Sequence, residues 1–129
     1  MRALAQTIAC EIHPLTNLRV LKYLTGSLGL SEAQRAEWYN HWVKEGLRMC
    51  ERRLQELAEE RARQGLPPLV FSYGDTPTLA DCCLVPQIVH GRRFGLEYDG
   101  IPLMLAVYER CMQLEAFQRA HPSCCPDAA

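Results

Sequence analysis

The chain has 129 residues, a net charge of −1 at neutral pH and a pI near 6.4, values typical of a single globular domain. This balance of charge gives no basic face that would attract nucleic acid or an anionic membrane surface. No apolar run approaches the roughly 20 residues needed to cross a bilayer, and the N-terminus has no cleavable secretory leader. We therefore expect a cytoplasmic protein.

The seven cysteines are a high and odd number for a chain of this length. Cys82-Cys83 and Cys124-Cys125 are adjacent pairs, unlike the two-residue spacing of zinc knuckles and redox motifs, so we expect no metal site. Reduced cysteine behaves as a small core residue where it follows an apolar helical period. We predict that behaviour, and reduced thiols, for four of the seven: Cys10, Cys50, Cys82 and Cys111.

Apolar periodicity predicts an all-α fold, a helical bundle with one long central helix and no strand. The predicted helices are residues 3–25 with a bend at Pro14, 32–64, 78–93, 103–114 and a short helix at 115–120. Ser31 is a good N-cap and Gly65 a good C-cap for the long helix. The connection 65–77 contains tandem prolines and is expected to pack along the bundle.

The long central helix has its apolar and small residues at helical intervals. These positions are Trp38, Trp42, Gly46, Met49, Cys50, Leu54 and Leu57. The second half, 51–63, is highly charged, which is typical of a solvated face with weak pairs along the helix. We assign it no function.

The segment 11–20 places several polar residues inside an apolar run. Pro14 lacks a backbone N–H, so we expect a helix to kink or restart there. His13 and Asn17 are four residues apart and would share a face on one helix, with Arg19 within reach of the same opening. Donors, acceptors and a permanent cation suit a small anionic ligand. Alternatively, His13 and Asn17 cap backbone groups that a helix end sets free.

Thr78 and Asp81 have the spacing of a capping box, with a hydroxyl at the N-cap and an acid three residues later. Asp81 stands among apolar residues, so we expect it to be buried, with its charge facing the positive end of the helix. This pattern indicates a folding device rather than a catalytic carboxylate. Pro86 lies inside the same helix and predicts a bend there.

The run 74–81 resembles the capping-box segment of the all-helical C-terminal domain of cytosolic glutathione transferases. The segments 12–22, 80–87, 93–94 and 114–117 and the tail motif 121–127 then resemble the zeta class. That class comprises the maleylacetoacetate and maleylpyruvate isomerases, and the resemblance runs from Arg2 to Asp127. Two positions depart from the family pattern: an amide is commoner at Thr16, and glutamine at Cys125.

The resemblance implies a cytoplasmic, glutathione-dependent cis–trans isomerase acting on a doubly carboxylated substrate of aromatic amino-acid catabolism. Family members activate the glutathione thiol with a Ser-Ser-Cys motif on a thioredoxin-like N-terminal domain. This sequence contains no such motif and no thioredoxin-like pattern. We therefore expect residues 1–129 to be a single glutathione transferase C-terminal-like domain, inactive alone and holding no catalytic residue.

The resemblance also assigns binding roles to individual residues. It places His13, Asn17, Leu18 and Arg19 beside glutathione, and Arg19 and Arg93 beside the substrate carboxylates. An arginine fork on a carboxylate is what the chemistry needs, although Arg92 and Arg93 at a helix C-terminus could equally complement the helix dipole. Gln87 is a weaker candidate for the same cavity. We interpret the other histidines as surface or capping residues: His41, His90 and His121.

Two alternatives to half an enzyme remain open. The first is a non-catalytic interaction module or homodimer using the apolar face of the first helix, since exposed apolar patches invite association. The residues proposed for that face are Ala5, Ile8, Ile12 and Leu15. The second is a split enzyme whose thioredoxin-like half is a separate protein.

Overall fold

The computed structural model describes residues 1–125, and the regular structure of this part is helical. Its elements are α1 Arg2–Gln6, a π-helical segment Thr7–Ile12, α2 His13–Thr16, α3 Leu18–Gly26, α4 Glu32–Arg63, α5 Leu79–Arg93, α6 Pro102–Cys111, α7 Glu115–Arg119 and a 3₁₀ turn Pro122–Cys124. One isolated β-bridge, between Phe71 and Gly74, lies in a connection. The all-α prediction is confirmed. The Pro126-Asp127 part of the tail motif lies outside the described residues.

The long helix α4 organises the bundle. Its 32 residues span about 48 Å, and it packs against the π-helical segment, α2, α3 and α6. Helix α5 packs against α1, the π-helical segment and α6. The centre of the core is formed by residues from these helices: Val43, Ala80, Leu84, Ile88, Met104 and Cys111. In the part of the chain that the structure describes, no helix is both long and apolar enough to cross a membrane.

The ends of α4 confirm the predicted caps. The Ser31 hydroxyl accepts a hydrogen bond from the backbone N–H of Gln34, and the Gln34 side chain accepts one from the backbone N–H of Ser31. At the other end Gly65 has φ +68°, the left-handed conformation that glycine adopts without strain. The N–H of Leu66 returns to the Arg61 carbonyl and closes the helix. Both ends of α4 were therefore predictable from local sequence.

The buried face of α4 differs from the predicted one. Met49 is exposed, and the predicted pair Trp38 and Trp42 is only half-buried. Gly46, Cys50 and Leu54 are buried as predicted, and the other apolar residues of α4 that are buried are Tyr39, Val43 and Leu47. The buried stripe is therefore rotated by about 100° from the two tryptophans, which lie at its edge.

The first predicted helix is divided into shorter pieces. Upstream of Pro14 the chain forms a π-helix over Thr7–Ile12, in which hydrogen bonds reach five residues back and the turn widens. Pro14 follows directly in α2, and because Ile12 and His13 both keep right-handed helical dihedral angles, the helix continues through the proline. The proline is thus accommodated by the wider turn before it.

The real break in this region is at Asn17, and the expectation that His13 and Asn17 share one helical face is wrong. Asn17 has φ −71° and ψ 153°, so it is extended and ends α2. Its side-chain oxygen accepts the N–H of Arg19 at 2.8 Å and caps α3. The Leu15 carbonyl near the end of α2 accepts the indole N–H of Trp38 at 2.8 Å. A tertiary bond to α4 therefore completes this turn.

The apolar face proposed for docking is part of the core. Ala5, Ile8 and Ile12 are each at most 5% exposed, and only Leu15 is half-buried. These side chains pack against α4 and α5 within the same chain. The first alternative, an association surface on the first helix, therefore has no free surface at three of its four residues.

The contact between α4 and the π-helical segment depends on Gly46. A Cβ placed at this position would overlap the Ile12 side chain, whereas a Cβ at Gly26 would meet nothing within 4 Å. We expect Gly46→Val to lower the free energy of unfolding by about 1–3 kcal/mol, because overpacking displaces the buried Ile12. Urea titration measures the loss. Gly26→Ala is the control and should change stability by less than about 0.5 kcal/mol; an equal effect of both changes would contradict this packing.

The cysteines divide into buried and accessible thiols. Cys50 and Cys111 are buried as predicted, but Cys10 and Cys82 are exposed, because their helix positions face outward. Burial raises the pKa of the Cys50 thiol to about 12, and burial together with Asp81 and Cys82 raises the pKa of Cys111 to about 12. All seven cysteines are free in the structure.

This division predicts the order of thiol alkylation. At pH 8 we expect Cys10 and Cys82 to react with iodoacetamide in the native chain, while Cys50 and Cys111 stay protected, since the thiolate is the nucleophile. Peptide mass spectrometry after timed labelling gives the order. Labelling in urea should make the rates equal, and fast native labelling of Cys50 would contradict the packing of α4.

Candidate functional site

A cavity of about 560 Å³ opens between the π-helical segment, α5 and the C-terminal turn. Its walls are mainly apolar, which favours the exclusion of water from a bound molecule. The polar and titratable side chains of its described lining are His13, Cys82, Cys83, Gln87, His90, Arg93 and His121. That described lining contains a permanent cation and three imidazoles and no carboxylate, so the cavity suits an anion.

Three polar residues follow one face of α5 at three-residue intervals. Gln87, His90 and Arg93 all line the cavity, and helical geometry spreads them along about 9 Å. Gln87 is 4% exposed, whereas Arg93 is exposed at the end of the helix. The face therefore runs from a buried amide to a solvent-accessible guanidinium. The expectation that Gln87 lines the cavity is confirmed.

The two adjacent arginines at the end of α5 have different surroundings. The Arg92 guanidinium stacks over the Tyr108 ring, 4.5 Å from its centroid, which holds it on α6. Arg93 makes no such contact and lines the cavity. Both still lie where a helix C-terminus favours a cation. Only Arg93 is placed to meet a ligand in this cavity.

His90 is half-buried and bonds a side chain of another helix, so the interpretation of it as a surface or capping residue is wrong. Its Nδ1 lies 2.9 Å from the hydroxyl of Tyr39 on α4. Its ring also packs against Phe94, which stacks on Tyr39 with centroids 4.4 Å apart. Burial lowers the pKa of His90, and the neighbouring His13 and Arg93 lower it further. Sequence spacing gave no signal for this pair, because Tyr39 lies 51 residues away.

The C-terminal turn forms the opposite wall of the cavity. Phe117 from α7 and Pro122 from the 3₁₀ turn face the α5 side chains across the opening. The His121 side chain accepts the N–H of Ser123 and caps that turn, which confirms its capping interpretation. His41 is exposed, as predicted.

The structure brings together only part of the predicted site. His13 and Arg93, from α2 and α5, line the same cavity. Asn17, Leu18 and Arg19 are not among its lining residues and form a turn at the start of α3, in which Asn17 is half-buried and Leu18 is 62% exposed. The Asn17 side chain is engaged in the helix cap. Within the described residues, no three His, Cys, Asp or Glu side chains converge as metal ligands.

Comparison with known proteins identifies the fold. No protein-family model matches the chain. It is 42% identical to a maleylpyruvate isomerase from a Ralstonia species over all 129 residues, which are 57% of that protein. A solved maleylpyruvate isomerase described as a zeta-class glutathione S-transferase superposes with a TM-score of 0.82 at 40% identity, covering 99% of this chain and 57% of the other.

A further solved structure contains ligands. The maleylacetoacetate isomerase from Methylobacterium extorquens AM1, solved with malonate and glutathione bound, superposes with a TM-score of 0.87 at 33% identity. The match covers 99% of this chain and 56% of that one. The chain thus spans about half the length of the relatives it matches.

The all-helical fold and its anion-compatible cavity define a helical domain of the glutathione S-transferase C-terminal type. Within that class, the chain belongs to the zeta-class family of maleylacetoacetate and maleylpyruvate isomerases. The family resemblance drawn from the sequence motifs is confirmed.

Proposed function

We propose that this chain is the helical half of a glutathione-dependent cis–trans isomerase of the maleylacetoacetate isomerase type. The observation that carries the proposal is the 560 Å³ cavity, with His13 and Arg93 on its walls and no carboxylate in its described lining. Residues 1–129 would form one domain that supplies a substrate-carboxylate clamp and part of the glutathione site. The solved relative that holds malonate and glutathione supports both ligand classes.

The chemistry assigns separate tasks to the two halves. The glutathione thiolate adds to a carbon of the conjugated double bond, and the electron pair moves onto the adjacent carbonyl oxygen. The new single bond rotates, the electron pair returns and the thiolate leaves from the trans product. Arg93 would hold a carboxylate through charge-assisted bonds during this rotation. A lowered thiol pKa must come from elsewhere, since this sequence has no Ser-Ser-Cys motif.

The exposed turn at the start of α3 is the proposed contribution to the glutathione site. Asn17 fixes the turn by capping α3, which presents Leu18 and Arg19 to solvent beside α2. Leu18 is 62% exposed and stands next to Arg19, so this turn offers a binding partner both an apolar contact and a positive charge. Arg19 would reach glutathione or a carboxylate only when a second, thioredoxin-like half stands opposite. Glutathione binding by this chain alone should therefore be weak.

A dicarboxylate titration tests the clamp. We expect malonate to bind the chain, and Arg93→Gln to weaken that binding about ten- to hundredfold through loss of a charge-assisted pair. Arg92→Gln is the matched control, because Arg92 is stacked on Tyr108, and it should keep the affinity within about twofold. Calorimetry measures both. An Arg93→Gln variant with unchanged affinity would contradict the proposed clamp.

Turnover separates half an enzyme from a complete one. The chain alone, given glutathione and maleylacetoacetate or maleylpyruvate, should not approach the rate of a full-length relative. A rate close to that of such a relative would overturn the proposal.

Pull-down of a separate thioredoxin-like protein would identify a split enzyme, and sedimentation would detect a homodimer. The exposed turn at the start of α3 is the candidate contact for either partner, because Ala5, Ile8 and Ile12 are buried in the core.

A further inference from the structure

The hydrogen bond between Tyr39 and His90 fixes the tautomer of the imidazole. Tyr39 is 1% exposed, and the partner of its hydroxyl among the described residues is His90 Nδ1, 2.9 Å away. Burial raises the pKa of Tyr39, so the hydroxyl keeps its proton and needs an acceptor for it. Only an unprotonated Nδ1 can accept that proton. His90 is therefore neutral and carries its own proton on Nε2.

The charges around His90 also favour the neutral ring. Burial lowers the pKa of His90, and the neighbouring His13 and Arg93 lower it further. In the described chain, no carboxylate is among the groups that shift this pKa. An imidazolium would carry a second proton on Nδ1 and would leave the buried Tyr39 hydroxyl without an acceptor. The contact from α4 therefore opposes protonation of His90 whether the cavity is empty or filled.

The Nε2–H group of His90 is a donor without an acceptor. It has no hydrogen bond to any described residue, and the His90 side chain lines the cavity one turn before Arg93. One turn before His90, the buried Gln87 Nε2 also has no hydrogen-bond partner in the described structure. Unpaired buried donors are uncommon in native proteins. This face of α5 therefore holds donors for which the described chain provides no acceptor, as expected of a wall that meets a bound molecule.

We propose that His90, held neutral by Tyr39, donates its Nε2–H to the carbonyl oxygen of a keto carboxylate whose carboxylate lies against Arg93. This role deepens the proposed function and rests on it for the class of ligand. Three residues along α5 correspond to about 4.5 Å, which suits a carboxylate and a ketone separated by two carbons. A second carboxylate at His90 would draw a proton towards Nδ1, against the Tyr39 bond. The position of His90 therefore favours an uncharged acceptor.

This hydrogen bond would act on the atom that gains charge during the reaction. When the glutathione thiolate forms its bond to carbon, an electron pair of the conjugated system moves onto the carbonyl oxygen, which becomes an enolate oxygen. A neutral imidazole N–H already placed at that oxygen stabilises the enolate without giving up its proton. When the electron pair returns, the carbon–sulfur bond breaks and His90 is unchanged. His90 would then be a catalytic residue in a domain whose sequence predicts none.

Nitrogen-15 NMR of the full chain tests the state of the ring. Long-range proton–nitrogen spectra distinguish the two neutral tautomers from the imidazolium, and the signals lost in His90→Phe assign the ring. At pH 7 we expect His90 to have an unprotonated Nδ1 and a protonated Nε2, both without ligand and with saturating levulinate. In Tyr39→Phe the Nδ1–H tautomer should appear, because the hydroxyl that disfavours it is gone. An Nδ1–H tautomer or an imidazolium in the wild-type chain would overturn the inference.

Levulinate and valerate test the hydrogen bond to the ligand. Both are five-carbon carboxylates, and only levulinate has a ketone, which two carbons separate from the carboxylate. We expect the wild-type chain to bind levulinate about tenfold more tightly than valerate, equal to one hydrogen bond of about 1.4 kcal/mol. Calorimetry measures both affinities. Their ratio should be the same at pH 7 and pH 8, since the ring takes up no proton.

Three variants separate this donor from general effects. His90→Phe keeps a ring against Phe94 but removes the donor, and it should reduce the ratio of the two affinities to less than about twofold. Tyr39→Phe keeps the donor but not the fixed tautomer, so its ratio should lie in between. His41→Phe makes the same change at an exposed position outside the cavity and should match the wild type. Circular dichroism confirms that each variant is folded.

The outcomes distinguish this inference from the proposed function. Arg93→Gln should weaken levulinate and valerate binding alike and leave their ratio unchanged, because it removes only the clamp. If His90→Phe keeps the wild-type ratio while Arg93→Gln weakens both ligands, the clamp stands and only this inference fails. If the wild-type chain binds the two ligands equally, or binds neither, the inference is overturned, whereas the malonate and turnover experiments still decide the proposed function.

Discussion

Asp81→Ala should lower the free energy of unfolding by about 3–5 kcal/mol, the largest effect that we expect from one substitution in this chain. Asp81 is fully buried, and its two oxygens accept three hydrogen bonds. One oxygen accepts the Ser72 N–H at 2.8 Å, and the other accepts the Thr78 N–H at 2.6 Å and the Thr78 hydroxyl at 3.0 Å. Alanine would remove the acceptor of the buried Ser72 N–H and of the two half-buried Thr78 donors. A loss of this size is a large fraction of the total stability of about 5–15 kcal/mol that is typical of a protein domain.

The carboxylate of Asp81 connects two parts of the chain. Through Thr78 it closes the capping box of α5, and through Ser72 it fixes the preceding connection against the bundle. Thr78→Ala removes one cap hydroxyl and should cost only about 1 kcal/mol. Asp75→Ala, at an exposed position in the same connection, is the matched control and should be nearly neutral. Urea unfolding followed by circular dichroism measures all three. A loss below about 1 kcal/mol for Asp81→Ala would show that water replaces the carboxylate.

Glu51→Ala should lower the free energy of unfolding by about 2–4 kcal/mol. Glu51 is 2% exposed, and its two oxygens accept the backbone N–H groups of Leu103 and Met104, each at 2.9 Å. These are first-turn donors of α6, whose N-cap residue Ile101 provides no side-chain cap. A carboxylate from α4 therefore caps α6 and also meets the positive end of its dipole.

Two variants separate the cap from general effects of charge. Glu51→Gln keeps the shape but presents an amide to two donors, so it should lose part of the stability. Glu56→Ala removes an exposed carboxylate paired with Arg53 and should change stability by less than about 0.5 kcal/mol. Hydrogen exchange at Leu103 and Met104 should accelerate in Glu51→Ala and stay unchanged in Glu56→Ala. Equal effects of Glu51→Ala and Glu56→Ala would contradict the cap.

Glu51 also corrects the interpretation of the charged stretch 51–63 as wholly solvated. Sequence periodicity could not identify this residue, because a buried acid and a surface acid look alike until the partner 52 residues away is in place. The exposed pairs Arg53–Glu56 and Arg63–Glu60 do fit the solvated interpretation. One acid of the stretch is structural, and the exposed ion pairs beyond it contribute little to stability.

The first predicted helix likewise shows that local sequence did not identify the correct residue, here the one at which a helix ends. Pro14 is the stronger local signal, yet the helix continues through it because the wider π turn over Thr7–Ile12 removes the conflict. The extended residue is Asn17, whose cap of α3 competes with continuing the helix. Local sequence predicts a helix boundary in this region, and at its actual position, Asn17, the Trp38 indole N–H bonds the nearby Leu15 carbonyl.

The sequence by itself determined the helical class, the caps at Ser31, Gly65 and Thr78–Asp81, and the family. The caps depend on residues close together in the chain, where hydrogen-bond partners lie within five positions. Only the tertiary structure decided which polar groups share the cavity. It placed His13 and Arg93 in the lining of one cavity, placed Asn17 and Arg19 outside that cavity, and paired His90 with Tyr39. The physical reason is that a helix fixes the direction of each side chain, but packing between helices decides which directions converge.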